Sequence, residues 1–203
     1  MLEKLALKDL YAYKGFSVAV VAQKMHCSQS TVNYWLAKHK IKKRSISQAI
    51  YKKWNPHGDP FRKMPIDNIP KAVLFGVGVG LYWGEGTKSN PTSIRLGNSD
   101  PRLIRVFVSF LEHCFAIQRS KLRFGLQIFG DMDADKTIAF WKRELSVSRK
   151  QFLPSVVVTP HRGVGNYRVK TKTGVVTLYF HNKKLRDIIV SSIEKQAMAY
   201  KPK

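Results

Sequence analysis

The sequence predicts an α+β chain of two folded domains, on three observations. In the first fifty positions apolar residues recur at three- and four-residue intervals, which is helical spacing. The stretch YKKWNPHGDPFRKMPIDNIPK then carries Pro56, Pro60, Pro65, Pro70 and Gly58, and no helical or strand period survives it. Beyond it, short runs of apolar–polar alternation are interleaved with longer amphipathic runs, the pattern of strands between helices. These place one domain over residues 1–47, a basic linker over 48–70 and a second domain over 71–203.

The first domain is predicted to hold three helices. Leu5, Leu7, Leu10 and Tyr13 are spaced for the first, which Gly15 ends. Ser17 can cap a second over Val18 to Met25, and Ser28 a third from Gln29 to about Lys38. Val21, Ala22, Met25, Cys27, Val32, Trp35 and Leu36 form the expected buried set, with the small Ala22 where two helices cross. This is helix-turn-helix spacing, and it resembles the units of resolvase-like and regulator-like DNA-binding proteins. Such turns usually hold glycine where this chain has His26, which requires a left-handed or otherwise adjusted backbone there. The exposed face of the third helix is expected to present Gln29, Ser30, Thr31, Asn33 and Tyr34 to base edges and phosphates, and Lys38, Lys40, Lys42, Lys43 and Arg44 to the backbone.

Charge sharpens the expected partner. Lys plus Arg number 36 against 13 Asp plus Glu, a net +23, with aromatic residues among the cations. That balance calls for an anionic partner, most simply double-stranded DNA. Cys27 and Cys114 each sit in apolar patterns and show no zinc spacing, which reads as buried thiols in a reducing compartment. The longest apolar run, Ala72 to Gly84, falls short of the ~20 residues a membrane span needs, and the first residues carry no secretory signal. The expectation is a cytoplasmic protein, held at the nucleoid if the cell has one, with no membrane partner.

The second domain opens on a helix expected from Lys71 to Gly84. Gly76, Gly80 and Gly84 recur every fourth residue and lie on one line, with Val73, Val77 and Leu81 beside them. A glycine inside a helix costs about 1 kcal/mol relative to alanine. A line of them fits a helix that another backbone approaches closely, and an identical helix of a second subunit meets that need. Glu85 then emerges where two such helices converge. Two carboxylates brought together at a two-fold axis repel unless a divalent cation lies between them, and Mg²⁺ takes oxygen ligands, phosphate oxygens included.

The stretch GVGLYWGEG resembles the LAGLIDADG motif of homing endonucleases: Gly80 matches its internal glycine, Glu85 its metal-binding acid and Gly86 its final glycine. The resemblance covers about Lys71 to Gln196. It implies an αββαββα-like domain whose antiparallel sheet forms a saddle over DNA, and, with one motif in the chain, a homodimer formed through Gly76, Gly80 and Gly84. It also implies Mg²⁺ held by Glu85 from each subunit, with a basic residue such as Arg95 or Arg123 stabilising the developing charge.

The strand patterns supply two faces for such a sheet. Ile94 and Leu96 point in while Ser93 and Arg95 point out; Leu122, Phe124, Leu126 and Ile128 alternate with Arg123, Gly125, Gln127 and Phe129; Val176, Leu178 and Phe180 alternate with Thr177, Tyr179 and His181. The expected DNA contacts are Lys88, Arg95, Arg123, Gln127, Thr177, Tyr179 and His181, with Arg162, Arg168, Lys170 and Lys172 on the intervening stretch PHRGVGNYRVKTKTG. Asp100-Pro101 and the DMDAD run from Asp131 read as helix starts rather than metal sites. Two functions stay open on these residues: a Mg²⁺-dependent DNA endonuclease of homing type acting as a dimer, and a DNA-binding transcriptional regulator whose LAGLIDADG-like domain no longer cuts.

Overall fold

The computed structural model describes residues 2–159 and 172–200. It divides into two units, Met1–Pro60 and Phe61–Lys203.

In the first unit, α1 (Lys4–Lys8) runs on into a π-helical turn over Asp9–Tyr13, and Gly15 turns the chain at φ +71. Leu7 and Tyr11, one turn apart, are the residues of this segment that go fully inside. Leu5 and Tyr13 are 80% and 72% exposed, because at about 3.6 residues per turn they fall on the opposite face. α2 (Val18–Lys24) and α3 (Gln29–Lys38) have their expected caps: Ser17 Oγ accepts from the Val20 N–H at 3.2 Å, and Ser28 Oγ from the Thr31 N–H at 3.0 Å. Between them His26 adopts the left-handed conformation, φ +48, that the tight turn demands. Val21, Ala22, Val32 and Leu36 join Leu7 and Tyr11 in a small core, with Met25, Cys27 and Trp35 packed against it.

The expected linker over 48–70 is corrected at both ends. A fourth helix, α4 (Ile46–Trp54), starts on a capping box in which Ser45 and Gln48 satisfy each other's backbone N–H groups. From Phe61, itself buried, the chain belongs to the second unit: the Arg62 and Met64 N–H groups donate to the carbonyls of Phe115 and Cys114, each at 2.9 Å.

The second unit continues with α5 (Ile69–Glu85), β1 (Ile94–Asn98), α6 (Pro101–Phe115), β2 (Arg123–Phe129), α7 (Ala134–Leu145), β3 (Val157–Thr159), β4 (Val175–Phe180) and α8 (Lys183–Ala199). α5 begins ahead of the expected Lys71 because Asn68 Oδ1 caps the Lys71 N–H at 2.9 Å and Pro70 suits the first turn. The described strands form one sheet in the order β1-β4-β2-β3.

This corrects two expectations. Among the described residues the order is αβαβαββα rather than αββαββα, since α6 separates β1 from β2. The sheet is mixed rather than antiparallel: β4 is antiparallel to β1 and β2, while β2 and β3 are parallel. The reason lies in the connection, because α7 carries the chain back to the end from which β2 started, which makes the next strand parallel.

Ile94, Leu96, Phe124, Leu126, Ile128, Val176, Leu178 and Phe180 form the inner face, buried with residues of α5, α6, α7 and α8 in one core. The opposite face, with Arg95, Gly97, Arg123, Gly125, Gln127, Thr177 and Tyr179, is half-buried to exposed. Helices on one side and a sheet face that no described helix covers on the other make a two-layer α+β domain. Among the described residues no helix is long and apolar enough to cross a membrane.

Candidate nucleic-acid interface and acidic site

The glycines of α5 divide by role. A Cβ on Gly76, Gly80 or Gly84 would meet nothing within 4 Å, whereas one on Gly78 would come within 2.1 Å of the Phe110 ring. Gly78, which the spacing argument passed over, lets α6 close on α5. The other three lie on a free face with Ile69, Val73 and Val77, exposed by 78%, 58% and 44%. Leu81, expected on the same ridge, is half-buried against the core.

At the end of α5 the chain turns sharply into the sheet. The Gly86 N–H donates to the Tyr82 carbonyl at 3.0 Å, and Gly86 bridges Leu96 of β1. A Cβ on Gly86 would sit 2.4 Å from that same carbonyl and from the Tyr82 ring, so only glycine fits. The Thr87 N–H then donates to the Arg95 carbonyl at 2.9 Å. Tyr82 is fully buried and donates from its hydroxyl to the Thr87 carbonyl at 3.3 Å. Burial pushes its phenol above the usual value, against the pull of the Arg186 guanidinium. Lys88 Nζ donates to the Trp83 carbonyl at 2.5 Å, so this expected DNA contact also caps α5.

Glu85 is thus held at the β1 edge of the sheet, one residue before the bridge. Its side chain is exposed, and no hydrogen bond or ion pair reaches it among the described residues. A carboxylate at a helix C-terminus faces the negative end of the dipole, an unfavourable place for an acid without a cation. The described residues hold no group of three or more His, Cys, Asp and Glu that could bind a metal.

Beside it, three expected contacts fall in one row. Arg95 of β1 and Arg123 of β2 both lie opposite Tyr179 of β4. Strands lie about 4.8 Å apart, so Arg95 stands at the edge near Glu85 and Arg123 two strands further in. Arg95 Nε donates to Ser93 Oγ at 3.0 Å, and Ser93 Oγ to Asn90 Oδ1 at 3.0 Å. Ser93 was expected to point outward and is fully buried instead, because Asn90 Oδ1 also accepts its backbone N–H and folds the loop over it. Arg123 Nη1 donates to the carbonyls of Ser120 and Leu122 at 2.8 and 2.9 Å.

The next row is Gly97, Thr177 and Gly125, and beyond it lies Gln127, whose Nε2 donates to Thr159 Oγ1 at 2.9 Å. His181 is exposed with its ring 6.2 Å from that of Tyr179, and Lys172 is exposed. The described strand residues of this face include no carboxylate. Arg162, Arg168 and Lys170 lie outside the described residues.

In the first unit Gln29, Ser30, Tyr34, Lys42 and Lys43 are exposed. Thr31 is drawn into the cap, its Oγ1 2.9 Å from Ser28 Oγ. Asn33 is half-buried with its Oδ1 fully buried and unbonded, so it is turned away from the open face. Arg44 turns inward: its guanidinium donates to the carbonyls of Tyr11 and Phe16 and lies 4.2 Å from the Tyr11 ring centroid. The Tyr11 hydroxyl accepts from the Arg44 N–H at 3.0 Å, so this arginine ties the basic tail to the core.

Sequence reasoning missed Arg186 of α8. Its Nη2 donates to the Lys88 carbonyl at 2.6 Å and its Nη1 pairs with Asp187 at 3.2 Å. A cation on a helix face next to an acid gives no local signal of a partner so distant in sequence. Comparison with protein-family models, curated proteins and solved structures finds no match.

Proposed function

We propose that the chain is a DNA-binding protein that cleaves phosphodiester bonds as a homodimer, with Mg²⁺ as its metal. The observation that carries this is Glu85: an exposed, unpartnered acid in a chain of net charge +23, fixed at the end of a helix whose free face is a line of glycines. The glycine face suits a second copy of α5, and two-fold symmetry would then bring two Glu85 carboxylates together. Those carboxylates fit Mg²⁺, which is commonly held through one or two carboxylates with the rest of its shell from water and substrate phosphate. When bound, the ion would activate water and neutralise phosphate charge.

The protein's own residues do the rest. The Tyr82, Gly86 and Thr87 bonds keep the Glu85 backbone fixed to the sheet edge. Arg95, whose Nε is anchored on Ser93, keeps its terminal nitrogens for a phosphate beside that edge. The basic sheet face and the exposed face of α3 supply two separate surfaces for duplex DNA.

The test is incubation with supercoiled DNA and Mg²⁺. Wild type is expected to nick or linearise it, and Glu85→Gln to lose on the order of a hundredfold or more in rate while still binding DNA. Cleavage that survives in Glu85→Gln removes the site assignment. Binding without cleavage by wild type across many targets leaves the second reading, a non-cutting regulator, which the capped helix-turn-helix of the first unit favours.

A further inference from the structure

The open sheet face carries an arrangement that contact with a base-paired duplex does not require. Tyr179 stands on an interior strand, flanked in the cross-strand register by Arg95 and Arg123. Its ring leans across the neighbouring strand: a Cβ built on Gly125 would lie 3.0 Å from Tyr179 Cε2, 3.3 Å from its hydroxyl and 3.5 Å from Leu153 Cδ1. Gly125 therefore leaves room for the ring to lie low, and a side chain there would press against it. His181 sets its ring within 13° of parallel, at 6.2 Å between centroids. The Arg95 guanidinium lies 5.5 Å from the Tyr179 centroid and is held through Nε by a fully buried serine. Arg123 is held by two carbonyls. Two oriented cations and two parallel rings thus share a face on which no described strand residue is acidic.

Inside a duplex the π faces of bases are covered by the stack, and a protein reaches their edges and the phosphates. Rings on a sheet face, flanked by cations, suit a base whose π face is bare. We propose that Tyr179 and His181 form a stacking platform for unpaired bases of single-stranded DNA, with Arg95 and Arg123 taking the adjoining phosphates. This rests on reading the sheet face as a nucleic-acid surface, and narrows it to a strand that is open, as at a melted or nicked site.

The test measures the full chain's affinity, by fluorescence anisotropy, for a labelled oligothymidine strand and for a blunt duplex. Wild type is expected to bind both. Tyr179→Leu, which keeps bulk and removes the ring, is expected to lose on the order of tenfold on the strand and several times less than that on the duplex, while Tyr179→Phe keeps both. Arg95→Gln, on the edge strand, is the second variant if Tyr179→Leu does not fold, with a loss of about threefold or more on the strand. Binding of duplex but not strand overturns the platform and leaves the proposed function standing. Binding of strand but not duplex does the reverse. Strand affinity unchanged in the folded variant, or duplex affinity lost to the same degree in Tyr179→Leu, also overturns it.

Discussion

The guanidinium of Arg186 donates to the carbonyl oxygen of Lys88 at 2.6 Å, and so fastens the last helix to the turn that leaves Glu85. The same arginine lies against the buried Tyr82, whose hydroxyl holds the Thr87 carbonyl. Removing the guanidinium frees that turn. Arg186→Leu is expected to cost about 2 kcal/mol in thermal or denaturant unfolding, in the range for a hydrogen bond to a charged group. The proposed cleavage should fall with it, because Glu85 loses its fixed base, whereas Arg186→Lys should recover part of both. A variant as stable and active as wild type removes Arg186 from the support of the site.

The glycines of α5 give opposite expectations by position. Gly78→Ala drives a methyl group into the Phe110 ring and is expected to destabilise by roughly 1–3 kcal/mol. Gly80→Ala meets open space and is expected to stabilise the isolated chain by up to about 1 kcal/mol through helix propensity. If the chain forms the proposed dimer through this face, the same change should weaken self-association, read by sedimentation at several concentrations. Association unchanged in Gly80→Ala and Gly76→Ala would remove the glycine line from the proposed contact.

Within the basic tail the structure separates anchors from free charges. Lys42 and Lys43 are exposed, while Arg44 is bonded to Tyr11 and Phe16. Replacing both lysines by alanine should leave thermal stability in place and, if they contact phosphates, lower the log–log salt slope of DNA binding by about 2. Arg44→Ala should instead lower the melting of the first unit, by about 2 kcal/mol. Equal effects from the two changes would contradict this division.

Acid pH should act through the helix caps. The Asp100 carboxyl is held below its usual value, first by the Arg102 side chain and then by the Arg102 N–H. That of Asp133 is held below its usual value, first by the Lys136 N–H. A depressed carboxyl stabilises the fold fully above its unfolded value, near about 4, and that contribution is lost as pH falls through the folded one. Asp100→Asn with Asp133→Asn keeps cap acceptors but not their charge. Its melting temperature should therefore lie below wild type at neutral pH and converge with it near pH ~2. A gap that does not narrow on acidification would show that the charge of these caps is not what they contribute.

Much of this was legible because the signals are local. Ser17, Ser28 and Asp100 announce helix starts in the residues themselves, and a left-handed His26 is one of the two backbones that the position usually held by glycine left open. Strand alternation gave the two faces of β2 and β4 correctly. What escaped depends on residues far apart in the chain. Strand direction is set by where a crossover helix returns, so β3 could not be oriented from its own residues. Gly78 and Gly80 look alike in sequence, and only the ring of Phe110 distinguishes them. Ser93 continues the alternation of its strand, yet Asn90 folds the preceding loop over it. Arg44 ends a run of surface cations, and its carbonyl partners lie in another helix and turn.

The place of β4 in the sheet has a consequence for synthesis. It is the last of the described strands, yet it lies between β1 and β2 and pairs with both. Until β4 has been made, β1 and β2 lack the strand with which both pair. The pairing of β1 and of β2 with β4 therefore forms only after β4 itself has been made, which delays closure of the sheet and lengthens the time for which strand edges are open to another molecule. A protein of this topology is exposed to mispairing during its own translation more than after it.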